Sequence, residues 1–262
     1  GVGADDGTRP QPGSTAMTAA PLAYITGASS GIGQALALRY YSAGWRLALV
    51  ARRGDALRDW ARGAALDDER FAVYAADVRD VAAITGAGRQ CVATQGLPDV
   101  VIANAGISVG VDTADEADLE VVRATYETNL LGMAATFQPF VAPMCRRGSG
   151  RLVGVASVAG IRGLPGHAAY CSSKAAVISY CESLRGECRP HGVRVVTISP
   201  GYVDTPLTQR NRYPMPFMMT GAAFADRAFR AIEAGTSYRV IPWQMGVVAK
   251  LMRLLPDPLF DR

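Results

Sequence analysis

Tyr170 and Lys174, four residues apart, would lie on one face of a helix, about a turn from each other. A free tyrosine titrates near roughly 10, so near neutral pH it is a poor proton donor and rarely a base. A neighbouring ammonium favours the phenolate and draws the pKa toward the range where acid–base catalysis works. A shift of about 3 units takes about 4 kcal/mol of differential stabilisation. The same spacing also occurs on ordinary solvated helices. The chemistry therefore depends on what the rest of the chain brings to this pair.

Short apolar runs alternate with helical periodicity from Pro21 onward. Leu22–Thr26 reads as a strand, followed by a Gly-rich turn and a helix to about Ala43 with Leu36, Tyr40 and Tyr41 on its apolar side. Arg46–Val50, Phe71–Ala75, Asp99–Ala103, Arg151–Ala156 and Val193–Ser199 read as further strands. Helices are expected to about Gly63, over roughly Val81–Thr94, from about Ala117 to Cys145 and over Tyr170–Arg189. Gly86 and Gly88 weaken the second of these, and Pro139 and Pro143 are expected to break or kink the third. Strands joined by crossover helices predict an α/β fold, a single Rossmann-type doubly wound parallel sheet flanked by helices over 21–262. Ligands of such sheets bind at the carboxyl ends of the strands. There the sequence gathers its tight turns and polar residues: Thr26–Gly33, Arg52, Asp77, Asn104–Gly106, Ser157 and Pro200–Thr205.

The bulk properties narrow the classes. A chain of 262 residues with 49% hydrophobic and 19% charged residues has material for a sizeable core. The net charge of +4 and the absence of a Lys/Arg run speak against a nucleic-acid partner. Cys91, Cys145, Cys171, Cys181 and Cys188 lack C-x-x-C spacing and fit a reducing, cytoplasmic setting better than a disulfide framework or zinc site. Two histidines, His167 and His191, are too few for an ordinary His-based metal site. No apolar run reaches transmembrane length. Residues 1–20 carry no apolar h-region and read as a disordered tail or expression scar, with Met17 as a natural start.

The motifs in order are T-G-A-S-S-G-I-G at Thr26–Gly33, Asp77-Val78, N-A-G at Asn104–Gly106, Asn129, Ser157, Y-C-S-S-K at Tyr170–Lys174 and P-G-Y-V-D-T at Pro200–Thr205. As a set the chain resembles the short-chain dehydrogenase/reductase family, from Pro21 to about Ile241. The resemblance implies that Tyr170 exchanges a proton with the substrate oxygen and that Lys174 lowers its pKa and bonds the nicotinamide ribose. It implies that Ser157 polarises the carbonyl and that Asn129 holds a water extending the proton relay toward Lys174. It also implies a dinucleotide site made of Gly27, Ser29, Ser30, Gly31, Ile32, Gly33, Asp77, Val78, Asn104, Ala105, Gly106, Tyr170, Lys174, Pro200, Gly201, Val203 and Thr205. Within that site, glycines admit a pyrophosphate to a helix N-terminus. The family's Asp, here Asp77, contacts the adenine.

Cofactor choice can be read at the end of the second strand. A carboxylate there would bind a ribose 2′-OH and repel a 2′-phosphate, but Ala51 is followed by Arg52 and Arg53. Guanidinium groups suit a phosphate, so NADP(H) is expected over NAD(H). The segment 206–220 corresponds to the family's substrate lid, and its Leu207, Tyr213, Met215, Phe217, Met218 and Met219 suggest an apolar substrate or lid packing. His167, Tyr213 and Phe217 are expected beside Ser157 and Tyr170 at the substrate, with Val109, Gly163 and Leu164 near them. Tyr238–Pro242 reads as a last strand. Residues 243–255 read as a helix whose stripe of Val247, Val248, Leu251, Leu254 and Leu255 lies opposite Lys250 and Arg253. That stripe could pack on its own domain, cover a partner's pocket in a homodimer or homotetramer, or touch a membrane. The expected activity is NADP(H)-dependent interconversion of a carbonyl and an alcohol on a lipophilic substrate. The alternatives are a 3-oxoacyl-thioester reductase and a non-catalytic NADPH-sensing or scaffold protein.

Overall fold

The computed structural model describes residues 19–210 and 214–261. Most of the expected N-terminal tail, and Tyr213, lie outside the described residues. Strands β1 (Leu22–Thr26), β2 (Arg46–Ala51), β3 (Phe71–Ala75), β4 (Val100–Ala103), β5 (Gly150–Val155), β6 (Val193–Pro200) and β7 (Tyr238–Ile241) form one sheet in the order β3-β2-β1-β4-β5-β6-β7. Every pairing is parallel. This is an α/β doubly wound sheet, and the strand order reverses between β1 and β4, where such sheets open a crevice. The register aligns the carboxyl ends: Thr26 with Val50, Ala103 with Gly154, Val155 with Ile198, Pro200 with Ile241.

The central strands are apolar throughout because both of their faces are covered. Ala23 and Ile25 point into one core with Leu47, Leu49, Val153 and Val196. Leu22 and Tyr24 point into the other with Ala48, Val50, Val101 and Leu152. Full burial of each Leu or Ile in these layers contributes about 1.5–3 kcal/mol. Helices α1 (Gly31–Ser42) and α2 (Gly54–Gly63) cover the first face. Helices α3 (Val81–Thr94), α4 (Leu119–Tyr126), α5 (Gly132–Arg147) and α6 (Ala168–Cys188) lie on the other. Helix α7 (Gly221–Glu233), which the sequence reading passed over, adds Phe224, Ala225, Ala228 and Ile232 to the first core.

One expectation needs correction. Pro139 and Pro143 do not break their helix: both lie inside α5, one turn apart, so their missing N–H groups fall on the same side. The irregularity falls instead at Glu127–Leu131, a turn widened to i→i+5 bonding between α4 and α5. Gly88 belongs in α3 because a Cβ there would lie 2.8 Å from Cγ of Pro139. Helix α8 (Trp243–Leu254) precedes the single turn α9 (Asp257–Phe260). Its buried face is Met245, Gly246 and Ala249, while Val247, Leu251, Leu254 and the following Leu255 are exposed. The small residues win because they let the helix approach the edge strand: a Cβ on Gly246 would sit 3.1 Å from Cβ of Val240. Among the described residues, no helix is long and apolar enough to cross a membrane.

Candidate active site

The turn after β1 is closed by contacts that only glycine permits. Gly27 has φ +64°, and a Cβ on it would lie 2.8 Å from Cα of Ala105; one on Gly33 would lie 2.1 Å from the Gly27 carbonyl oxygen. A Cβ on Gly31, at φ +54°, would lie 3.2 Å from Cβ of Thr205, which places the first turn against the segment after β6. Ser30 is the N-cap of α1 but makes no side-chain cap bond, and the first turn holds no acidic residue. That leaves a helix N-terminus suited to an anion. Ser29 is exposed beside it, and Ile32 packs on the core behind. Gly33→Ala is expected to destabilise the protein by about 3 kcal/mol, since the Gly27 carbonyl it would strike is backbone of the same tight turn. Thermal denaturation checks it, and an unchanged midpoint would contradict the closeness of this turn.

At the end of β2, Arg52 and Arg53 are exposed, and Arg53 precedes α2. Asp77 lies close enough for Arg52 to stabilise its charge. Its nearer partner is Arg79, whose Nη2 donates to Oδ2 at 3.0 Å and whose backbone N–H donates to Oδ1, also at 3.0 Å. Burial pushes the Asp77 pKa up, but these bonds and charges outweigh it and leave it below the ordinary value. Arg79 was missed in the sequence, where only the i, i+2 spacing typical of an Asx turn hinted at it. Val78 packs on Gly132, whose Cβ would meet it at 2.9 Å.

Asn104 and Ala105 hang from β1: both backbone N–H groups donate to Oγ1 of Thr26, at 3.1 and 3.2 Å. A Cβ on Gly106 would lie 3.3 Å from both Oδ1 of Asn129 and Nζ of Lys174, so this loop lies between those two side chains. Asn129 occupies the widened turn and is 2% exposed. Its Oδ1 accepts from the Ile107 N–H at 2.8 Å, and its Nδ2 donates to the Ile107 carbonyl and to Ser173 Oγ, each at 3.0 Å. Ser173 in turn donates to the Tyr170 carbonyl at 2.8 Å. The sequence reading missed Ser173, although it lies inside the Y-C-S-S-K motif.

Ser157 leaves β5, and its Oγ accepts from the Ala159 N–H at 3.1 Å and hydrogen-bonds the Tyr170 hydroxyl. Lys174, 5% exposed, donates from Nζ to the Val155 carbonyl at 2.9 Å. Its ammonium lies 5.9 Å from the Tyr170 ring centroid. Burial raises the Tyr170 pKa above its ordinary value, and the hydroxyl of Ser157 offsets this only in part. Burial acts on Lys174 as well, bringing its pKa down to about 8. Desolvation opposes the charged form of both groups.

The remaining expected residues lie at and after the end of β6 and in the loops before α4, α6 and α7. Gly201 is pressed by Met245 of α8, and Val203 is buried and bridges to Met219. Pro200 ends β6, and Thr205 accepts the Thr208 N–H. His167 is the N-cap of α6, three residues before Tyr170. Phe217 and Met218 are 52% and 47% exposed in the segment before α7, and Phe217 has φ +57°, a conformation costly for a side chain. Val109 and Gly163 are exposed and Leu164 is half-buried. Among the described residues, no cluster of three or more His, Cys, Asp or Glu could hold a metal ion.

A doubly wound parallel sheet with a glycine turn after β1, and with a half-buried tyrosine and a buried lysine at its carboxyl edge, is a Rossmann-type α/β protein. Residues 21–215 match the short chain dehydrogenase family, and the chain belongs to that oxidoreductase family. An uncharacterized oxidoreductase of Myxococcus xanthus (strain DK1622) is 41% identical over 91% of this chain and 94% of its own length. An acetoacetyl-CoA reductase of Acinetobacter sp. (strain RA3849) is 30% identical over 75% of this chain and 79% of that one. The crystal structure of a short-chain type dehydrogenase/reductase from Mycobacterium marinum superposes with a TM-score of 0.76 at 29% identity, covering 84% of this chain and 93% of that one.

Proposed function

We propose that this protein is an NADP(H)-dependent oxidoreductase that interconverts a carbonyl and an alcohol, acting as a homo-oligomer on a lipophilic substrate. The observation that carries the reading is the convergence of Ser157, Tyr170 and Lys174 beside the glycine turn at one edge of the sheet. The residues present fit a dinucleotide: an uncapped helix N-terminus for the pyrophosphate, and two exposed arginines after β2, where a carboxylate would select the unphosphorylated ribose. When bound, the nicotinamide supplies or accepts the hydride. Tyr170 holds a proton through neutral pH because burial raises its pKa, and it releases that proton to the substrate oxygen during reduction. Ser157 donates a hydrogen bond where charge develops on that oxygen. Lys174 steadies the tyrosinate left behind, and Asn129 fixes the Ile107 and Ser173 groups around it. Exposed Leu207, Phe217 and Met218 support an apolar substrate.

The test is oxidation of NADPH, followed by its absorbance, against lipophilic ketones, aldehydes and 3-oxoacyl-thioesters, with NADH in parallel. Turnover with free lipophilic carbonyls supports the reading. Turnover confined to thioesters would select the alternative that the acetoacetyl-CoA reductase relative favours. Tight NADPH binding with no turnover would favour a sensing protein. Replacing Arg52 by Asp is expected to lower the NADPH-to-NADH ratio of kcat/KM by roughly ten- to a hundredfold, the effect of one charge-assisted hydrogen bond to phosphate. An unchanged ratio would remove Arg52 from cofactor selection.

A further inference from the structure

One side chain ties the end of the chain to the loop that carries Ser157. After Ser157 caps the short turn Val158–Gly160, Gly160 lies so close to α6 that a Cβ there would be 2.8 Å from the backbone carbon of Lys174. Two residues further on, Arg162 reaches the C-terminal segment with its whole guanidinium. Its Nη1 donates to the carbonyls of Arg253 and Leu255, at 3.2 and 3.3 Å. Its Nη2 donates to Oδ1 of Asp257 at 3.0 Å, and its Cζ lies 4.0 Å over the Phe260 ring. The Arg162 side chain is 13% exposed, whereas that of Asp257 is 87% exposed.

These contacts suit a guanidinium in particular. The last carbonyls of a helix have no partner within it and carry the negative end of its dipole, so a cation placed there is stabilised. One amino group of the guanidinium takes both carbonyls and the other takes Asp257, while the planar face stays free for the Phe260 ring, a combination that an ammonium without a planar face does not offer. The other end of α8 bears on the segment after β6, where a Cβ on Gly201 would sit 2.9 Å from Cγ of Met245. The C-terminal helices therefore span both loops, one leading away from Ser157 and one running from Pro200 to Thr205.

We infer that Arg162 is a positioning residue: it fastens α8 and α9 across the Ser157 loop, so that the C-terminal segment sets the shape of the substrate cleft and which substrates enter it. The inference rests on the proposed function for placing substrate at Ser157. Arg162→Ala is expected to raise hydrogen exchange in both 243–260 and 157–162. In the same variant KM for the best carbonyl substrate rises about tenfold or more and the ranking of long and short substrates changes, while NADPH affinity stays within about twofold. Arg162→Lys, which keeps the charge and loses the fork, restores only part of the protection and of KM. Asp257→Asn leaves both near wild type, because an exposed ion pair contributes little.

Increased exchange in 243–260 with KM and substrate ranking unchanged would overturn the inference, as would unchanged exchange in both segments. If the wild-type protein turns over no carbonyl, the proposed function fails and exchange alone decides. Joint loss of protection in the two segments then supports the fastening, and independent behaviour overturns it. Should Arg162→Ala not fold, the same comparison is made with Arg162→Lys.

Discussion

Replacing Tyr170 by Phe is expected to lower kcat for carbonyl reduction by about a thousandfold, within the range found for loss of a positioned general acid. The substitution removes one oxygen and keeps the ring, so the packing of α6 is retained and the melting temperature stays close to wild type. NADPH affinity changes little. The hydroxyl bonds Ser157, which remains tied to the Ala159 N–H. The size of the effect follows from how few protons are available. Cys171, next in sequence, is held protonated by burial, and Lys174 is committed to the Val155 carbonyl. The direction of reaction matters as well. A tyrosine whose pKa is raised keeps its proton at neutral pH, so it is present there in the acid form that reduction needs and is a poor base for alcohol oxidation until the pH rises. Reduction is therefore expected to dominate at pH 7, with oxidation gaining as alkali is added. Steady-state kinetics in both directions check this. A Phe variant keeping more than roughly a tenth of the wild-type rate would mean that the proton comes from another group.

The fold was legible in the sequence because strands buried on both faces read as unbroken apolar runs, and because the turns at their carboxyl ends need glycine. Gly27 and Gly33 meet backbone atoms closer than any Cβ could come, so the packing of the turn is written in the residues themselves. What stayed hidden depends on distant partners. Helix α7 had its signal in the Thr220 cap and the spacing of Phe224, Ala228 and Ile232, but the apolar residues just before it drew the reading toward a lid. Pro139 suggested a broken helix, and only the facing Gly88 shows that α5 carries it. The apolar stripe of α8 could not say by itself what covers it, and Gly246, not the stripe, makes the close approach to β7. The site divides in the same way. Identities and order placed Ser157, Tyr170, Lys174 and Asn129 together. Spacing could not show that burial would raise the Tyr170 pKa, nor that Arg79 and Arg162 would hold groups next to the motifs.

Lys174→Met is expected to abolish most turnover and, in the same protein, to flatten the dependence of stability on pH. Burial lowers the Lys174 pKa to about 8 from the 10.5 of a free lysine. Between those values the unfolded chain holds a proton that the folded chain has released, so wild-type stability climbs with pH through this window. A difference of about two and a half units corresponds to about 3 kcal/mol. Below pH 8 the folded protein keeps the ammonium buried, a cost that its bond to the Val155 carbonyl only partly offsets. Methionine fills a similar volume and titrates nowhere, so the variant lacks that climb. Activity moves the opposite way: the wild-type rate of reduction is expected to fall above about pH 8 as the charge beside Tyr170 is lost. Stability and catalysis thus make opposite demands on this one side chain, and its retention at a buried position is explained by the chemistry. Urea denaturation of both proteins at neutral and alkaline pH separates the two effects. Equal pH slopes in the wild type and the variant would mean that Lys174 titrates at its ordinary value and that its burial does not tune the site.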